Sequence, residues 1–443
     1  KEIDAVNNII LEYVRKKKRK IYGGYALNEI IRNKNKEDTF YDDDTEIADI
    51  DIYSNNPIED IFNVCDLLAD KGYKRIVGEE AVHEGTYKIF WEFTNVLDVS
   101  YVPSNVYNNI PFEEINEIRY THPSFIKIDS FRMFTQPFFF EQRLEKQFKR
   151  FQIIEKYYKM KRITKPLNVK KISNNKMHLM NDVLIDIYKF IINNSSVILF
   201  DDYSYNYYKK ESKIKNNYIK NIKLNNFKII STDFENDCKS VCKLIKNKYK
   251  DDYITKVEYY GFFQFLGRSM VLLLDGHPIL SIYDNDKKCL PFQQIDPLVD
   301  NLKVNLKKND FVNISTFDLT LLFSLIFWIK NKVDKNSEKI DMYNYLIMSS
   351  HLVQMKHNYF KNNDKTIFDD TPFEEFIISC KGIHHDSLKE HRLKIEKKVM
   401  KKKGPYKWKY QPLTSRTKKK PNYDYINTSG SIIKNNNELI IDC

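Results

Sequence analysis

The stretch ADIDIYS, Ala48 to Ser54, sets two carboxylates two residues apart inside an apolar, β-branched run. In an extended chain alternate side chains share a face. Ala48, Ile50 and Ile52 therefore point one way and Asp49, Asp51 and Tyr53 the other. An isolated pair of this kind is usually the wet face of a half-buried strand, so its flanks decide whether it does more. Upstream, KIYGGYALNEIIRN reads as a short strand, a glycine pair and a helix starting near Tyr25. Downstream, NPIEDIFNVCDLLADKG is a well-marked helix: Asn56 at the cap, Pro57 in the first turn, Glu59 and Asp60 near the N-terminus and Gly72 as the stop. Three strands follow, YKRIVGEEAV, TYKIFWEFT and VLDVSYVP, with a turn around His83 to Gly85.

Three features of this region combine. Gly23 and Gly24 stand between strand and helix, where missing side chains let backbone N–H groups approach a phosphate. Asp49 and Asp51 share a face of the next strand. Asp98 lies on a later strand, opposite Leu97, Val99 and Tyr101. Carboxylates about 4 Å apart repel by about 4 kcal/mol at an effective dielectric near 20, and divalent cations remove that repulsion. A phosphate cradle beside three acids is what in-line phosphoryl or nucleotidyl transfer requires.

The order of elements, with YGGYALNEI, then DID, then LDVSY, resembles the nucleotidyltransferase superfamily of polymerase-β type. Within it the chain is similar to the catalytic subunits of poxvirus-type poly(A) polymerases, in the version carried by giant DNA viruses. The match covers Ile21 to about Val102, with a weaker likeness over His122 to Pro137. The interval from Gly24 to Asp49, holding Asp42, Asp43 and Asp44 in a solvated loop, is longer than in most of the superfamily. The resemblance implies an α+β chain: a polymerase-β-like nucleotidyltransferase domain followed by a second, degenerate nucleotidyltransferase-like domain. It further implies that Asp49, Asp51 and Asp98 are catalytic and hold two Mg²⁺ or Mn²⁺ ions, with ATP as substrate. Gly23 and Gly24 are expected to face the triphosphate, and Lys127 and Arg132 to supply cations for phosphate or base. The expected activity is template-independent addition of AMP to the 3′ end of single-stranded RNA, releasing pyrophosphate. A terminal uridylyltransferase would use the same acids, and a non-catalytic RNA-binding or processivity subunit stays open as an alternative. Poxvirus-type enzymes work with a separate processivity subunit, so this chain is expected either to use one or to pair with itself. Its expected place is the host cytoplasm, in a viral factory, or the virion.

The remaining chain bounds these expectations. At 443 residues, two or three domains are expected, here 1–130 catalytic with an N-terminal helix, 131–225 a helical connector, 226–385 the degenerate domain and 386–443 a basic, aromatic tail. A domain boundary is expected between Asn193 and Asn226. Lys and Arg total 72 against 60 acids, a net charge of +12, which favours a polyanionic partner. In the tail, Lys407 is expected to meet RNA phosphate, and Trp408 and Tyr410 to stack on bases. The run Arg15 to Lys20 reads as the wet end of a helix or a lining of the RNA path. Asp284 and Asp286 fall in a polar turn, so no second active site is expected. Six scattered cysteines read as reduced thiols, and Cys238 with Cys242 lacks the further ligands a zinc site needs. LTLLFSLIFWI, Leu319 to Ile329, is too short to span a bilayer and reads as a core helix; no membrane association is expected.

Overall fold

The computed structural model describes residues 2–41, 49–83, 85–135, 140–168, 177–249, 254–286, 288–298, 302, 304–334, 339–366, 369–373, 379–383, 387–400, 408–412 and 432–439. In chain order the elements begin α1 (Glu2–Lys17), β1 (Lys20–Tyr22), α2 (Gly23–Lys34), β2 (Ile50–Ser54), α3 (Pro57–Asp70), β3 (Ile76–Glu80), β4 (Thr86–Trp91), β5 (Thr94–Tyr101), α4 (Ser104–Asn109), β6 (Phe112–Ile115), β7 (Ile118–Thr121), α5 (Pro123–Phe134) and α6 (Phe140–Tyr157). They continue with α7 (Met177–Ile191), β8 (Val197–Phe200), α8 (Asp202–Ser212), β9 (Phe227–Ser231), α9 (Phe234–Lys248), β10 (Ile254–Tyr259), β11 (Ser269–Leu274), β12 (His277–Asp284), β13 (Leu290–Ile295) and β14 (Val312–Ser315). The last are α10 (Phe317–Val333), α11 (Lys339–Asn363), β15 (Cys380–Lys381), α12 (Ser387–Met400), β16 (Lys409–Tyr410) and β17 (Ile432–Leu439).

The chain forms two compact units. The first comprises Lys1–Asp129, Lys146–Tyr158 and Asp386–Ile426, and the second Ser130–Glu145, Lys159–His385 and Asn427–Cys443. The first holds an eight-stranded sheet of order β6-β7-β1-β2-β5-β4-β3-β16; the second holds a nine-stranded sheet of order β15-β13-β14-β8-β9-β12-β11-β10-β17. Apart from β15 the two sheets repeat each other strand for strand. In the first, β1 runs antiparallel to β2 and parallel to β7, and β2 runs parallel to β5. In the second, β8 runs antiparallel to β9 and parallel to β14, and β9 runs parallel to β12. This is the mixed α+β fold with a duplicated domain that the resemblance implied.

Helix α3 shows why the first sheet packs as it does. Its stripe of Ile58, Ile61, Phe62, Cys65 and Leu68 is buried with Ile52, Ile89 and Leu97 of the sheet. Its acidic first turn also ties down neighbouring chain, for Asp60 is fully buried, accepts from the Tyr13 hydroxyl at 2.6 Å and pairs with Arg19 at 2.9 Å. Asn56 stands at the cap position without a side-chain bond; the Ser54 hydroxyl instead accepts from the Asn56 N–H. In the second unit α10 is buried on nearly every face, with the Thr316 hydroxyl capping it at the Leu319 N–H. Among the described residues no helix is long and apolar enough to cross a membrane.

Several boundaries differ from those expected. The interval 131–225 is no helical connector, because β8 lies inside it at the middle of the second sheet, with all four residues buried. Residues 193–226 are likewise no boundary, since they supply β8 and α8. The tail expected at 386–443 is shared between the units: β16 adds to the edge of the first sheet beside β3, and β17 to the edge of the second beside β10. The expectation of reduced thiols fails at one place, where Cys289, just before β13, forms a disulfide with Cys380 of β15. The two are 91 residues apart in sequence, so no local spacing marks them. The expected acidic loop with Asp42, Asp43 and Asp44 lies outside the described residues.

Candidate active site

Strand pairing brings together the side chains that the alternation selected. Asp51 of β2 and Asp98 of β5 are direct partners in the parallel register, and Tyr22, which precedes the two glycines, is opposite Asp51 on β1. Asp49 stands exposed just before β2. The Asn95 amide donates to Asp49 at 3.3 Å and to Asp98 at 2.9 Å, so it ties two of the three carboxylates together. Asp51 is half-buried beside the other two. Burial, and then the charges of Asp98 and Asp49, push its carboxyl up to about 8.

Cations moderate this charge from two sides. Lys88, the partner of Asp98 on β4, donates to both carboxyl oxygens, at 2.7 and 2.9 Å. Arg150 of α6 favours ionised Asp51 more weakly. Its guanidinium donates to the Tyr41 hydroxyl at 2.7 Å.

The glycines have definite reasons to be glycine. Gly23 adopts φ +74°, and a Cβ there would stand 2.7 Å from Asp51 Oδ2. A Cβ on Gly24 would collide with the Arg150 guanidinium and the Tyr41 hydroxyl. Helix α2, which they begin, has no side-chain cap at Tyr22 and no acid in its first turn. Its first N–H groups and positive dipole end therefore face the edge of the carboxylate cluster, with Asp51 beside Gly23 and no acid of the helix's own.

The donor set suits hard divalent cations, being all carboxylate oxygen with one half-buried acid set against two like charges. No hydrogen-bond donor reaches Asp51 among the described residues. Yet among those residues no three acidic, His or Cys side chains already form a metal cage. Asp51 and Asp98 are neighbours through strand register, and Lys88 holds Asp98.

Other expected site residues serve elsewhere. Lys127 is buried, pairs with Glu155 and donates to the Tyr158 carbonyl at 3.1 Å, tying α5 to the end of α6. In this structure its ammonium is occupied by these two partners. Arg132 belongs to the second unit, where it donates to Gln264 at 3.4 Å and lies over the Phe265 ring. Tyr410 is 4% exposed and packs on Phe62, and Trp408 packs on Phe62 and Tyr87. Tyr410 belongs to the core of the first unit, which corrects the expectation that it stacks on RNA bases, and Trp408 is half-buried against that core. Lys407 lies outside the described residues. Within the basic run, Arg19 is spent on Asp60, and the Lys20 ammonium is buried, donating to the Ile110 carbonyl at 2.8 Å. Lys88, Asn95, Tyr41 and Arg150 are the additions that sequence reasoning missed. Only Lys88 carried a signal, as an outward residue of an alternating strand.

A glycine-started helix, two acids on the next strand and a third on its parallel neighbour define a nucleotidyltransferase. A family model described as "Poly(A) polymerase catalytic subunit" matches residues 8–140, and one described as "APMV, Putative poly(A) polymerase, catalytic subunit, C-terminal" matches residues 152–443. A protein of Acanthamoeba polyphaga mimivirus, described as "Putative poly(A) polymerase catalytic subunit", is 31% identical over 410 residues, spanning 89% of this chain and 70% of that one. An African swine fever virus protein with the same description is 32% identical over 163 residues, 35% of this chain and 34% of that one. The crystal structure of the Megavirus polyadenylate synthase superposes with a TM-score of 0.86 at 31% identity, covering 99% of this chain and 87% of that one. The chain belongs to the poly(A) polymerase catalytic-subunit family, whose activity is polynucleotide adenylyl transfer.

Proposed function

We propose that this chain extends RNA 3′ ends with AMP from ATP by two-metal-ion nucleotidyl transfer. The observation that carries the reading is the facing pair Asp51 and Asp98, with Asp49 tied to Asp98 through Asn95. Asp49 and Asp51 would hold both divalent cations, Mg²⁺ or Mn²⁺, and Asp98 the one nearer the RNA end. When bound, those ions supply neutralisation of phosphate charge and a lowered pKa for the 3′-hydroxyl. Gly23 and Gly24 admit the triphosphate to the first turn of α2. Asn95 keeps Asp49 and Asp98 in mutual register, and Lys88 holds Asp98 while no ion is bound. The 3′-oxygen forms its bond to the α-phosphorus as the bond to pyrophosphate breaks.

The viral sources of the relatives support a role in tailing viral mRNA, in a cytoplasmic viral factory or in the virion. Their description as catalytic subunits supports a partner, either a processivity subunit or a second copy of the chain. The test mixes the protein with labelled single-stranded RNA and each nucleoside triphosphate in turn, with Mg²⁺ or Mn²⁺. A ladder with ATP that disappears in Asp98→Ala, with RNA affinity kept, is the expected result. Extension chiefly with UTP would make the chain a uridylyltransferase, and RNA binding without extension would overturn the enzymatic reading.

A further inference from the structure

We infer that Arg150 is the residue that grips the triphosphate of the incoming nucleotide and, after transfer, the pyrophosphate. The inference rests on the function proposed above and takes the place left by Lys127 and Arg132, whose side chains are engaged elsewhere. Arg150 lies in α6, yet its guanidinium packs on the backbone of Gly24 at the start of α2, close enough that no side chain fits at that position. Its Nη2 donates to the Tyr41 hydroxyl, and its guanidinium lies over the Phe40 ring at 5.6 Å. Its Nε is sealed from solvent with no hydrogen-bond partner.

Among the described residues this cation has no carboxylate ion pair, although Arg19 and Lys127 of the same unit each have one. It also stands at the positive end of an uncapped helix with no acid in its first turn, where a second positive charge is unfavourable. Both anomalies disappear if an anion with several oxygens sits there, accepting from the guanidinium fork and from the α2 N–H groups together.

The second unit supplies an independent pointer to the missing anion. Phe200 pairs with Lys228 as Tyr22 pairs with Asp51, so Asp201 and Asp202 occupy the positions of Gly23 and Gly24. Asp201 even keeps the left-handed backbone, at φ +60° against +74° for Gly23. Where the first unit leaves two side chains out, its copy places two carboxylates, one of them, Asp201, buried and paired with the half-buried Lys228.

The experiment titrates the full chain with sodium tripolyphosphate in the presence of Mg²⁺, reading the melting temperature, with sodium sulfate at equal ionic strength as control. Tripolyphosphate should raise the melting temperature of the native chain. The shift should be lost in Arg150→Ala and reduced in Arg150→Lys, which keeps the charge without the fork. In steady-state assays the KM for ATP should rise ten- to a hundredfold with the KM for RNA unmoved. Arg150→Lys covers the case in which the alanine variant fails to fold. A full tripolyphosphate shift in either folded variant would overturn the inference and leave Arg150 as a tie between α6 and Tyr41. Tripolyphosphate binding that needs Arg150, in a chain that adds no nucleotide, would uphold the anion site while refuting the proposed polymerase activity.

Discussion

The two sheets share one topology, yet charge is arranged oppositely at their centres. In the first, Asp51 faces Asp98 across β2 and β5; in the second the same register places Lys228 opposite Ser281. Asn226 takes the position of Asp49, and Val271 that of Lys88. In the copy the charges satisfy each other: Lys228 pairs with Asp201 and donates to the Tyr345 hydroxyl at 2.6 Å. Burial works against the Lys228 ammonium, but the Asp201 carboxylate and Tyr345 outweigh it and raise its pKa. The difference shows what a reactive centre gives up. The first unit keeps like charges together and leaves two side chains out of its backbone lining; the second has filled the same place from within.

The comparison can be broken most decisively by copying one centre into the other. Gly23→Asp with Asp51→Lys should abolish nucleotide addition, by at least about a thousandfold or about 4 kcal/mol in the barrier. The metal-free protein should melt no lower than the native chain, by calorimetry. Retained extension would show that the two centres do not correspond.

The converse change acts on stability. Lys228→Ala strands the buried Asp201 without its counter-charge and should destabilise the chain by about 3 kcal/mol in urea unfolding. Lys228→Met with Asp201→Asn should recover most of that loss. Nucleotide addition per folded molecule should be unchanged in both.

Acidity should move the units in opposite directions. His351 is buried, donates through Nε2 to the Lys165 carbonyl and accepts at Nδ1 from the Tyr205 hydroxyl; burial lowers its pKa from 6.5 to about 4. Below pH 6.5 the unfolded chain takes up a proton that the folded one refuses. Stability of the second unit therefore falls as pH drops from 6.5 towards 4, by at most about 3 kcal/mol. Asp51 has the reverse sign: without metal, its raised pKa makes the first unit lose stability as pH rises from about 4 to about 8. Hydrogen exchange at β2 and at α11 between pH 5 and pH 8 would read the two slopes separately, and parallel slopes would refute the assignment.

The smallest effect tests likeness itself. Ser54 and Ser231 end equivalent strands, and each hydroxyl accepts from the N–H two residues on, at 2.9 Å. Ser54→Ala should destabilise by about 1 kcal/mol. Ser231→Ala should lose somewhat more, because its hydroxyl also donates to Asp237. Denaturant midpoints of the two variants give the comparison.

Legibility followed the range of the interaction. Asp49, Asp51 and Asp98 could be read because strand alternation is local, and the glycine pair because a strand-to-helix turn is local too. Lys88 and Asn95 meet the acids only through strand register. Arg150 reaches Gly24 from a helix more than a hundred residues on, within a run of alternating charge where nothing marks it. The Lys228–Asp201 pair is invisible for the same reason, since only the pairing of β8 with β9 brings its partners together. Trp408 and Tyr410 misled because bases interleaved with aromatics also describe a strand that covers the edge of a sheet.

That edge strand governs the order in which the molecule can be completed during synthesis. β3 is made early, but β16, its outer neighbour, follows more than three hundred residues later. Until then the ribosome carries a first sheet whose β3 edge is open, beside Phe62 and Tyr87 without their aromatic cover. The domain begun first thus stays open until the chain is nearly complete, and only β17, which closes the second sheet, follows it. A shortened product ending before Trp408 would keep Asp49, Asp51 and Asp98 and still expose a strand edge for aggregation or capture by a chaperone.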